Sequence, residues 1–218
     1  MRKILFLLFL VFAALLALSC SSDNGMPCVT CDNSGKQPEP EYKGGSCDIK
    51  DSVKIGDQIW MAKNSDCYVQ GSKCYNNDSI NCKEYGRLYD WATAKDSAKK
   101  ICPAGWHLPS IKEWEALIDF VEKDNECNKC AGKYLKSQDG WKDDGNGLDT
   151  YVFSAKPSGY GDSKGYLFVG VYGLWWSADE DKKNISNAYS LNISVGDQSL
   201  DEPSSKDYLL SVRCLKDS

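Results

Sequence analysis

The sequence predicts an α+β domain stapled by disulfides, and three observations predict it. Two helix-prone stretches come early, short strand-prone runs parted by glycine, asparagine and aspartate follow from Gly140 onward, and the 218 residues carry 11 cysteines. Helices gathered ahead of strands, instead of alternating with them, favour α+β packing. Residues 47–218 are enough for one core of ordinary size, and no repeat of fixed period divides them.

The sheet should open with a hairpin, because Val53-Lys54-Ile55 and Gln58-Ile59-Trp60-Met61 flank a Gly56-Asp57 turn. A short extended piece at residues 87–89 leads into the first helix, residues 91–100, which Pro103 forbids from continuing. The second helix starts at Ser110, where Ser110-Ile111-Lys112-Glu113 fits a capping box. Behind it Trp114, Leu117, Ile118 and Val121 fall on one stripe that must face the sheet. Further strands are predicted at residues 151–154, 165–169, 174–178, 187–193 and 208–215.

The first 46 residues read differently. Arg2 and Lys3 precede an unbroken apolar run from Ile4 to Leu18, the layout of an export signal. Fifteen residues at about 1.5 Å each reach only about 22 Å, short of the roughly 30 Å a membrane span requires. Ala17-Leu18-Ser19-Cys20 resembles the lipobox of bacterial lipoprotein precursors, which implies a signal at residues 1–19, lipid attachment at Cys20 and a place in the cell envelope, the outer membrane above all. Several acyl chains, palmitate among them, would give stable anchoring where one is marginal. The alternative is an ordinary secretory signal with Cys20 as a disulfide partner; removing Cys20 leaves ten cysteines, an even number, which favours lipidation. Residues 20–46, with Gln37-Pro38-Glu39-Pro40-Glu41 and few apolar side chains, are expected to form a disordered tether.

Without the signal the positive count falls by Arg2 and Lys3 from 26 to 24 against 31 acidic residues, a formal charge of −7. Nucleic-acid binding rests on clustered Lys and Arg, so this balance argues against that class of partner.

Several motifs together resemble one family. Tyr85-Gly86-Arg87-Leu88-Tyr89-Asp90-Trp91, Cys102-Pro103-Ala104-Gly105-Trp106-His107-Leu108-Pro109-Ser110, Gly140-Trp141, Phe153-Ser154-Ala155, Trp176-Ser177-Ala178 and Ser211-Val212-Arg213-Cys214 are similar to the Fibrobacter succinogenes major paralogous domain. The likeness runs from about Val53 to Asp217. More distantly, Leu108-Pro109-Ser110 followed by Glu113-Trp114-Glu115 resembles the C-type lectin-like and formylglycine-generating-enzyme-like folds. The resemblance implies a C-type lectin-like α+β domain with two helices, a long irregular excursion and a mostly antiparallel sheet that brings the termini together. It implies no reaction and no cofactor.

Ten cysteines allow on the order of 900 pairings. The resemblance implies that Cys102 pairs with Cys214; Cys74 and Cys82 bracket a polar turn and are expected to pair, and Cys47 and Cys67 then fall together. Cys28–Cys31 and Cys127–Cys130 are both Cys-x-x-Cys. Zinc ribbons need two such knuckles about 15–20 residues apart, and thioredoxin-like chemistry needs a helix start inside a βαβ unit. Neither context is present, so both are expected to be inert local disulfides.

The remaining candidates are few. His107 is the only histidine and is expected to be structural. Asp143, Asp144, Asn146 and Asp149 crowd one loop without EF-hand spacing, which reads as a polar turn more readily than as a calcium site. Tyr160, Tyr166 and Tyr172 lie among glycines in the expected excursion, and aromatic faces stack on sugar rings. They are the expected ligand-binding residues of a surface adhesion module for polysaccharide. The alternatives are a structural envelope protein without a ligand, and an enzyme related to formylglycine-generating oxidases. Those enzymes use a cysteine pair near the domain end, where this chain has only Cys214. No enzymatic activity and no metal are expected.

Overall fold

The computed structural model describes residues 47–96, 101–196 and 198–218, with the side chains of 198–202 excepted. The signal at 1–19, the lipid-attachment residue Cys20, the tether at 20–46 and the Cys28–Cys31 pair lie outside the described residues. Among the described residues no helix is long and apolar enough to cross a membrane.

The hairpin forms as its sequence dictates: β1 (Ser52–Ile55) pairs antiparallel with β2 (Gln58–Met61), and Gly56 takes φ 58° in the two-residue turn. Strand β11 (Leu215–Lys216) pairs with both β2 and β4 (Trp106–His107), giving the order β1-β2-β11-β4. The first and last strands of the domain therefore share one sheet.

A second sheet has five strands in the order β3-β10-β7-β8-β9: β3 (Leu88–Tyr89), β10 (Leu210–Ser211), β7 (Tyr172–Glu180), β8 (Asn187–Ser194) and β9 (Gln198–Ser205). Only β10 and β7 run parallel within it. Alternation along β7 splits the core: Trp175 joins one apolar cluster, while Leu174 and Trp176 join the other on the opposite face. A two-stranded hairpin, β5 (Tyr160–Asp162) with β6 (Gly165–Leu167), forms a third sheet, bridged to the second through Gly161 and Leu209 and through Gly159 and Gly173.

Among the described residues there are four α-helices where two are expected. The expected ones are α2 (Trp91–Lys95) and α3 (Ile111–Asp124). The N-cap of α2 is Asp90, its C-cap Asp96, and residues 97–100 lie outside the described residues. The capping box of α3 is present, and Trp114, Leu117, Ile118 and Val121 are its buried residues. Trp114 stacks on Trp60 with centroids 4.5 Å apart, which seats α3 on the hairpin. The additional helices are α1 (Ser79–Tyr85), capped by Asp78 accepting from the Ile80 N–H at 2.9 Å, and α4 (Ala131–Leu135). The segment between Cys74 and Cys82, read as a polar turn, thus holds a 3-10 turn (Tyr75–Asn77) and the start of a short helix.

Three strand expectations are corrected. Residues 151–154 form no strand, because Val152 and Ser154 take φ of 56° and 50° and left-handed residues cannot continue a ladder. The strand expected at 165–169 ends at Leu167, where Phe168 turns at φ 62°. The run at 208–215 splits into β10 and the start of β11, with Val212 and Arg213 buried between them. Strand β9 was not expected, since Gln198-Ser199-Leu200-Asp201-Glu202-Pro203 has no β-branched residue; its pairing with β8 makes it a sheet edge, where Pro203 is tolerated.

Disulfides join Cys47 to Cys67, Cys74 to Cys82, Cys102 to Cys214 and Cys127 to Cys130.

Candidate functional site

Parity along the β5–β6 hairpin decides which tyrosines can act together. Tyr160 is opposite Leu167 and Tyr166 is opposite Gly161, so the two tyrosines project to opposite faces. The tip is closed by the Asp162 carboxylate, which accepts from the Lys164 N–H at 2.7 Å. On one face Tyr166 packs on Tyr75, centroids 5.3 Å apart, and its hydroxyl donates to Asn77 Oδ1 at 2.8 Å.

On the other face Tyr160 lies between two near-parallel rings, Tyr208 at 5.4 Å and Phe168 at 5.9 Å. Tyr172 meets Phe168 edge-on at 5.4 Å. The result is a run of four rings, Tyr208, Tyr160, Phe168 and Tyr172. Phe168 is 49% exposed, and its left-handed backbone is the turn that holds it outward. Burial, then the neighbouring Tyr208, Asp162 and Tyr172, push the Tyr160 hydroxyl pKa up, so it stays a neutral donor at ordinary pH. The structure therefore joins Tyr160 to Tyr172, removes Tyr166 from their company, and adds Phe168 and Tyr208. The sequence does not single out those two, because Phe168 falls in a run that reads as a strand and Tyr208 at the start of another.

His107 lies at the edge of the first sheet with both ring nitrogens engaged: Nδ1 is 2.6 Å from Asp217 Oδ1, and Nε2 is 2.9 Å from Glu113 Oε1. Burial pulls the imidazole pKa down, but hydrogen bonds and charge from Asp217 and Glu113 outweigh it and the net direction is upward. An imidazole engaged through both nitrogens has none left to act as a general base.

The polar loop after Trp141 does not converge on a point. Asn146 Oδ1 accepts from the Trp141 N–H at 3.0 Å, and Asp149 accepts from the Ser154 N–H and hydroxyl, each at 2.6 Å. Among the described residues no group of three or more His, Cys, Asp or Glu side chains could hold a metal ion.

A cleft of about 830 Å³ opens elsewhere, between residues 48–51, 61–66, 82–86 and 152–156. Arg213, which is 0% exposed, is at its base. The Arg213 Nε and Nη2 donate to Asn64 Oδ1 at 3.1 and 2.7 Å, Nη1 donates to the Phe153 carbonyl, and Nη2 reaches the Ser154 carbonyl at 3.4 Å. Burial drives the guanidinium pKa down to about 9, against the opposing charge of Asp149.

Residues 53–216 match the model of the Fibrobacter succinogenes major domain. The chain belongs to that family. No curated protein and no solved structure matches it. The motifs of this Fibrobacter succinogenes major domain form its scaffold. Arg87 donates to Ser72 Oγ at 2.8 Å beside the Cys74–Cys82 bond, and the Trp176 indole donates to the Tyr89 carbonyl at 2.7 Å. Gly86 is required where it stands, because a Cβ there would lie 2.8 Å from the Ser65 carbonyl oxygen and from Asn64 Cβ.

Proposed function

We propose that the protein is a lectin-like envelope lipoprotein, anchored through Cys20, that binds polysaccharide on the run of rings formed by Tyr208, Tyr160, Phe168 and Tyr172. The observation that carries the reading is the half-exposed Phe168, turned outward at φ 62° and backed by Tyr160. A solvent-facing aromatic supported by further rings loses little conformational freedom when a ligand covers it, and its faces suit the C–H surfaces of pyranose rings. This reading makes the aromatic run a binding surface, and Cys214, bonded to Cys102, offers no free thiol.

Affinity electrophoresis of the mature protein through gels carrying neutral plant or bacterial polysaccharides tests this. Retardation is expected on at least one polymer, Phe168→Ala should abolish most of it, and Tyr166→Ala should leave it unchanged because that ring is on the opposite face. Unretarded migration on every polymer would overturn the reading in favour of a structural envelope protein. For the anchor, labelled palmitate should enter the wild-type chain and not Cys20→Ser.

A further inference from the structure

The Arg213 cleft carries two energetic costs in one place. First, its guanidinium is fully buried, hydrogen-bonded only to neutral acceptors, the Asn64 amide oxygen and the Phe153 and Ser154 carbonyls, and faced by the Phe153 and Trp175 rings at 4.2 and 6.0 Å. Among the described residues no carboxylate forms an ion pair with it; Asp149 acts on it at longer range and is spent on Ser154. Removing an unpaired cation from water is expensive. Second, the segment that supplies those carbonyls is wound through three left-handed residues, Asp149, Val152 and Ser154. A β-branched residue almost never adopts that conformation, and Val152 does so while 61% exposed at the cleft wall. Packing gives no reason to hold an exposed valine there. Backbone strain and a buried cation without a carboxylate partner, gathered at one opening, are features that cluster at functional sites.

The walls carry four lysines and four carboxylates, which offset each other, so Arg213 leaves the cleft one positive charge in a chain whose formal charge is −5. Lys156 is committed to Glu84 at 3.0 Å and Asp139 at 2.6 Å, whereas Lys50 and Lys63 stand exposed at the mouth. The volume is that of a small-ligand site.

We propose that this cleft binds a small carboxylate-bearing ligand, whose negative charge sits above the buried Arg213 guanidinium and is met at the mouth by Lys50 and Lys63. The site is separate from the aromatic run and does not depend on it. A carboxylate of this size is offered by a uronic-acid oligosaccharide or by a free peptide C-terminus, and the two are distinguished by probe.

The experiment is a titration of the mature protein, read by calorimetry and by the shift of its melting temperature. The probes are trigalacturonate and its methyl ester, and an acetylated dipeptide with a free or an amidated C-terminus. Saturable binding and a raised melting temperature are expected with one or both free carboxylates, and their neutral counterparts should bind at least fivefold more weakly. Lys63→Glu, exposed and therefore compatible with folding, should weaken binding roughly fivefold. Arg213→Met is the more direct variant but risks the fold, so Lys63→Glu decides. Failure of both carboxylates to bind, equal binding of the neutral analogues, or an unchanged affinity in Lys63→Glu would each overturn the proposal.

Discussion

Asp217 Oδ1 lies 2.6 Å from His107 Nδ1, which ties the segment after β11 to the strand that leads into α3. The same imidazole holds Glu113, itself the acidic member of the α3 capping box. One side chain thus links the helix start, the β4 edge and the end of the first sheet.

The clamp makes stability depend on pH with a definite sign. The His107 pKa is raised above its ordinary 6.5, so its contribution is complete below about 6.5 and is lost as pH rises through the higher folded value. Burial pushes Glu113 upward, but the Ser110 and His107 hydrogen bonds and the His107 charge leave it lowered; its share is present above the ordinary glutamate range and is lost as pH falls through the folded value. Replacing His107 by Gln should flatten the melting-temperature profile between about pH 5 and 8 and cost about 0.5–1 kcal/mol at the acid end, the scale of a partly exposed ion pair. An identical profile in wild type and variant would refute the clamp.

The Cys102–Cys214 bond spans 112 positions. Closing so long a loop lowers denatured-state entropy by the equivalent of about 4.8 kcal/mol, a figure that depends on the chain-entropy model. Replacing both cysteines by alanine should therefore destabilise the domain more than removing Cys74–Cys82, whose separation is only 8. Chemical denaturation of the two double variants ranks them; the reverse order would show that packing around the sulfurs dominates.

What could be read from the sequence follows how local each determinant is. The β1–β2 turn and the α3 capping box are encoded within four residues each, and both form where expected. Strand β9 depends on β8 for its pairing, and α1 starts inside a disulfide loop, so neither has a strong local signature. The aromatic run shows the same division. Tyr160 and Tyr172 were legible from the glycine-rich stretch they share, but Tyr208 arrives from a distant strand, and the separation of Tyr166 is a matter of hairpin register. The Arg213 site is invisible for a different reason: its neutral acceptors come from residues 149, 60 and 59 positions away in sequence.

Trp114 and Trp60 are both 0% exposed, and Phe153 meets each edge-on, at 6.4 and 6.0 Å. Truncating Trp114 to alanine removes the centre of the cluster that joins α3 to the hairpin and should cost about 3–5 kcal/mol, much of the stability a domain of this kind possesses. Urea denaturation checks it. A cost below about 1 kcal/mol would mean that α3 is held by its cap and not by this stack.

Val152 offers the opposite outcome, a stabilising substitution. An L-residue in the left-handed region bears about 1–2 kcal/mol, and β-branching adds crowding that asparagine does not have. Because Val152 is 61% exposed, little burial is lost by replacing it. Val152→Asn should therefore gain about 1 kcal/mol and raise the melting temperature by roughly 2–4 °C, whereas Val152→Ile, equally branched, should gain nothing. If both variants melt with the wild type, the backbone at 152 is unstrained. If only the asparagine variant gains, the wild-type fold keeps a removable strain in the segment whose carbonyls face Arg213.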